Sequence, residues 1–86
     1  MRLRAERATV SVALDAFVAV LHRPSGATHL LTEPAPQILT ALGDEAVTLD
    51  ELLVRLAAGF DLGILAREAL SARVAELVDI GLIVPE

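Results

Sequence analysis

The chain has 86 residues, 55% apolar and 22% charged, enough for one aliphatic core and too apolar for a disordered segment. The absence of cysteine excludes disulfide scaffolds, thiol catalysis and thiolate zinc sites, and the absence of lysine excludes Schiff-base chemistry and a phosphate-loop lysine. The net charge of −5 is unevenly spread: residues 1–30 carry four arginines against two carboxylates, whereas residues 31–86 carry three against ten and would repel a phosphate backbone.

Met1-Arg-Leu-Arg4 is basic, but Glu6, Arg7, Thr9 and Ser11 interrupt the next stretch, so no signal segment is expected. Thr9–Leu14 alternates, with Val10, Val12 and Leu14 on one face and Thr9, Ser11 and Ala13 on the other, the period of a half-buried strand. Asp15-Ala16 closes a tight turn. Phe17–His22, apolar on both faces and rich in β-branched residues, is expected as the central strand. Its apolar run Phe17–Leu21 is far shorter than the roughly 20 residues that cross a bilayer, so no membrane span or membrane partner is expected, and the missing signal segment together with the lack of cysteine makes a cytoplasmic protein the expectation. In Arg23-Pro-Ser-Gly26, Pro24 presets the turn backbone and Gly26 supplies a positive φ, so Thr28–Leu31 returns as a third strand with one unpaired edge.

The pattern then turns helical. Pro34 and Pro36 suit a first helical turn, Gln37–Leu42 continues it, and Gly43 stops it. Thr48 stands three residues before Glu51 as a capping box, and Leu49, Leu52, Leu53 and Leu56 form an apolar stripe down to Gly59. Asp61 and Gly63 open a third helical segment in which Ile64, Leu65, Leu70, Val74, Leu77, Val78 and Ile80 recur, ending at Gly81. Leu82–Val84 is expected as an extended tail that Pro85 keeps from pairing further. Strands followed by helices define an α+β, winged-helix-like domain over residues 1–86: a three-stranded antiparallel sheet, then three α-helices, the last two as a helix-turn-helix.

The stretches Arg23–Thr32, Thr48–Leu53 and Leu77–Ile83 resemble, in order and spacing, the PqqD-like family of peptide chaperones, also called RiPP recognition elements. They are most similar to the subgroup named for the HPr-rel-A system. The resemblance spans nearly the whole chain and implies a domain without chemistry or cofactor. It would bind the leader segment of a ribosomally synthesised precursor peptide and present it to a peptide-modifying enzyme. The leader would add as a strand at Thr28, His29, Leu30, Leu31 and Thr32. The third helix would form the opposite wall of the cleft, drawing on Arg67, Leu70, Arg73, Val74 and Leu77.

The residues also bear plainer readings. His22 and His29 flank the turn without a third metal ligand, so strand histidines are favoured over zinc. Ser11, Ser25 and Ser71 lack a nucleophile motif. The adjacent carboxylates Asp44-Glu45 and Asp50-Glu51 sit beside helix starts, where they favour the helix dipole rather than acid–base catalysis. A winged-helix DNA reader is the rival from the fold, but residues 61–86 hold two arginines against five carboxylates, so no nucleic acid is expected. A homodimer joined through the open edge is the remaining alternative.

Overall fold

The computed structural model describes residues 1–59 and 67–86. Three strands, β2 (Thr9–Leu14), β3 (Phe17–His22) and β4 (Ala27–Leu31), form an antiparallel meander with β3 in the middle. A short β1 (Leu3–Ala5) precedes them, and α1 (Ala35–Leu42), α2 (Leu49–Gly59), α3 (Arg67–Asp79) and β5 (Ile83–Pro85) come after. This is the expected α+β arrangement of a three-stranded sheet and three helices. The start of the third helical segment, including Asp61, Gly63, Ile64 and Leu65, lies outside the described residues.

Local chemistry sets the ends of these elements. Asp15 takes a positive φ of 53° in the β2–β3 turn, and Gly26 does so at 73° in the β3–β4 turn. At α2 the Thr48 hydroxyl accepts the Glu51 N–H at 3.2 Å and donates to the Glu51 carboxylate at 3.1 Å, so the capping pair is closed through the hydroxyl on both sides. Arg55 of α2 reaches back to donate to the Ala41 and Leu42 carbonyls at the end of α1, the second of which also accepts the Glu45 N–H. The end of α3 is a Schellman motif: Leu82 N–H bonds Leu77 C=O at 2.9 Å, Gly81 N–H bonds Val78 C=O at 3.0 Å, and Gly81 holds φ at 81°.

Beyond α3 the chain departs from the expectation. The tail is extended as expected, but it is a paired strand: β5 pairs antiparallel with β1, joining the opposite ends of the chain. Pro85 does not stop this pairing. It lies opposite Leu3, whose own N–H and C=O are bonded to Val47, while Arg2 and Glu86 exchange both main-chain bonds beside it. The missing proline N–H therefore falls where no bond is required.

Among the described residues the core is aliphatic. Ile38 and Leu42 of α1, Leu52 and Leu56 of α2, and Leu70, Val74 and Leu77 of α3 meet Val20 and Leu31 of the sheet. Leu3, Val47, Leu82 and Ile83 close one side of it. Each buried leucine contributes about 1.5–3 kcal/mol relative to an exposed one.

One polarity is the reverse of that suggested by a half-buried strand. Val10, Val12 and Leu14 point away from the helices and are exposed, and the face of β2 that shares a side with the core residue Val20 is Thr9, Ser11 and Ala13. Alternation fixed which residues share a face, and the chain path decided which face the helices cover.

Candidate functional site: an open strand edge beside a groove

Main-chain groups along an antiparallel strand point alternately to either side. Arg23 N–H bonds Ala8 C=O, on the β2 side, so His22, Val20 and Val18 direct their groups towards β4. Their register partners Ala27, His29 and Leu31 complete that ladder. Thr28 and Leu30 consequently turn their N–H and C=O groups outward, away from the sheet, where no strand is paired among the described residues. Thr32, just past the strand, gives its carbonyl to Ala35 N–H at 3.0 Å.

This edge borders a groove of about 300 Å³. One wall is Leu30, Leu31 and Thr32 with Glu33, Pro34 and Ala35 at the start of α1; the other is Arg73, Glu76, Leu77 and Ile80 of α3 and its end. Residues 73, 76, 77 and 80 are spaced as one stripe of a helix. Apolar side chains supply the floor, and charge stands at the rim, where Arg73 Nη1 lies 3.0 Å from Glu76 Oε2.

The ten residues singled out in the sequence separate accordingly. Leu31, Thr32, Arg73 and Leu77 line the groove, Leu30 borders it along the strand edge with its side chain on the outer face of the sheet, and Thr28 extends that open edge. His29 shares the inner face with Val20, and its main chain is committed to β3. Leu70 is 0% exposed and Val74 6%, so both belong to the core; Val74 also reaches a second groove on the far side of α3, beside Leu3 and Leu49. Arg67 sits in the first turn of α3 with its Nε 2.8 Å from Asp50 Oδ1, pinned to α2 rather than turned to the groove. Glu33, Pro34, Ala35, Glu76 and Ile80 were missed. Glu76 and Ile80 continue the helical stripe through Arg73 and Leu77, a signal that was present in the spacing.

The other candidates take structural places. His22 Nδ1 is 2.8 Å from Ser25 Oγ and its Nε2 is 3.9 Å from Glu6 Oε2, while Ser25 Oγ also accepts Ala27 N–H. Ser25 is thereby committed to its own turn, and His22 ties that turn to the β1–β2 connection. Among the described residues no group of three or more His, Asp or Glu side chains converges as a metal site, and no helix is long and apolar enough to cross a membrane.

The fold recurs in TbiB1, whose structure was solved in complex with the TbiA(beta) leader peptide. The likeness covers 96% of each chain with a TM-score of 0.67 at 19% sequence identity. It is a likeness of fold. No family model and no curated protein matches the sequence.

Proposed function

We propose that this chain is a RiPP recognition element of the PqqD-like kind, which captures the leader segment of a precursor peptide as a fourth strand along β4 and presents it to a peptide-modifying enzyme. The observation that carries the proposal is the open β4 edge, with the outward main-chain groups of Thr28 and Leu30 beside a groove walled by α3. Strand addition suits it: main-chain bonds supply affinity, and alternate side chains of the added strand enter the groove and supply selectivity. Leu31, Leu77 and Ile80 favour an apolar side chain there. The occurrence of the same fold in TbiB1, seen with a leader peptide, supports this assignment, as does the resemblance in the turn and helix-start segments.

The site residues in this proposal are Thr28, Leu30, Leu31, Thr32, Arg73, Glu76, Leu77 and Ile80, with Leu70 and Val74 supporting α3 from behind. The domain itself performs no chemistry; it positions a peptide for an enzyme. Both arginines of α3 already lie against carboxylates, Arg67 against Asp50 and Arg73 against Glu76, which favours a peptide over a phosphate backbone as the ligand.

The test is titration of ¹⁵N-labelled protein with leader segments encoded beside its gene. Amide resonances of residues 28–32 and of residues 73–80 should shift together. Shifts confined to β2, or saturable binding of duplex DNA by α3 in their place, would sink the proposal.

A further inference from the structure

The strand register gathers the side chains of the sheet onto two faces with opposite fates. Val20 and Leu31 lie on the inner face and are buried under the helices. On the outer face Val10, Val12 and Leu14 of β2, Phe17 and Leu21 of β3, and Leu30 of β4 stand together, each between 37% and 64% exposed. Their exposed area is roughly 500 Å², the size at which an apolar patch on a small protein is commonly functional. Ala19 and Thr28 complete the face, and no side chain in the strand positions of this face is charged.

We propose that two copies of this chain pack these outer faces together, sheet on sheet, about a two-fold axis that runs across the strands. Three observations select a second copy. Paired patches of this size bury roughly 1,000 Å² in total, which reaches the threshold for a specific interface. A chain of net charge −5 repels its own kind through most of its surface, and this face presents no charge to oppose the approach. The ends of the face are unlike: the β2–β3 turn carries Asp15 and the β3–β4 turn carries Arg23. Strands that run in opposite directions across the interface bring Asp15 of one copy towards Arg23 of the other at both ends, whereas strands running in the same direction oppose like charges. A two-fold axis along the strands or across them would give an isologous dimer, and the unlike ends of the face select the axis across the strands. Two twisted three-stranded sheets pack naturally in this way, and the outward main-chain groups of β4 remain open at the side of the sandwich.

Sedimentation equilibrium of the full chain, from low micromolar to about 1 mM, tests this against the affinity scale. The apparent mass should rise from 9.1 kDa towards that of a dimer. Val12→Lys places a charge at the centre of both halves of the interface and should weaken association by at least about 100-fold. Val54→Lys, at an exposed apolar position on α2 away from the sheet, should leave association unchanged. A chain that stays monomeric throughout, or a dimer indifferent to Val12→Lys, overturns the proposal. Should Val12→Lys fail to fold by circular dichroism, dilution of the unmodified ¹⁵N-labelled chain decides. Shifts at residues 10–21 support the face-to-face dimer, and shifts confined to residues 28–32 assign association to the β4 edge and overturn it.

Discussion

Leu30→Pro isolates the β4 edge from the rest of the fold. Leu30 N–H points outward and takes no part in the β3–β4 ladder, whose bonds fall at Ala27, His29 and Leu31. Its side chain is 64% exposed, so proline there removes little packing, and it leaves the preceding His29 in the extended conformation that it already has. An incoming strand, however, loses one of the two outward N–H groups within β4. The lost bond is worth about 1 kcal/mol, and stranding the peptide carbonyl against the pyrrolidine ring adds roughly 1–2 kcal/mol. Together these weaken a leader peptide by roughly 30- to 150-fold.

Isothermal titration with the same leader segments reads that loss directly, and thermal unfolding of the free proteins shows whether the fold is intact. Leu31→Pro is the contrasting change. Leu31 is buried and its N–H faces Val18, so proline there breaks the ladder and empties a core position, costing roughly 3 kcal/mol or more of stability. If Leu30→Pro binds with unchanged affinity while remaining folded, strand addition at this edge is refuted. If Leu30→Pro unfolds as readily as Leu31→Pro, the inward and outward assignment of the strand is refuted instead.

Local chemistry sets two further outcomes. Gly81→Ala should lower stability by about 1–2 kcal/mol, because φ is +81° there; the added methyl meets only the His22 ring at ordinary contact distance, so a variant as stable as the parent in urea would refute a conformational origin. The Glu6 carboxyl is held below the usual carboxylate range, chiefly by the Ala8 N–H that donates to it, with Arg7 N–H and the charges of His22 and Arg4 assisting against partial desolvation. A carboxylate with a lowered folded-state pKa stabilises the fold above its unfolded pKa, and that contribution is lost as pH falls through the folded value. The stability gap between the parent and Glu6→Gln should therefore be present at pH 7 and close on acidification; a gap that widens below about pH 4 contradicts this.

Most of the fold was legible because its signals are local. The alternation in Thr9–Leu14, the Pro24 and Gly26 turn, the Thr48–Glu51 cap and the Gly81 stop each act within a few residues, and each element formed where it was marked. The β1–β5 pair was not legible: three-residue strands carry no usable period, and their partners lie at opposite ends of the chain. The rotation of α3 was legible only in part. Leu70, Val74 and Leu77 form the buried stripe and Arg73, Leu77 and Ile80 the groove stripe; the two are roughly 60° apart on a helix and share Leu77. Apolar periodicity alone found the first stripe and could not show where the second opens onto β4.

The part that escaped the sequence is also the part that shapes the groove. Its two walls, β4 and α3, are far apart in the chain, and their spacing depends on how the end of α3 is anchored. Gly81 turns the chain into β5, β5 pairs with β1, and β1 leads through the Glu6 connection into β2 and the sheet that carries β4. His22 reinforces this circuit, since its ring stands where a side chain at position 81 would touch it while its nitrogens approach Ser25 and Glu6. The open edge is thus held in register with the helix by a small polar and main-chain clasp, and none of Glu6, His22, Ser25 and Gly81 lines the groove whose width they help to fix.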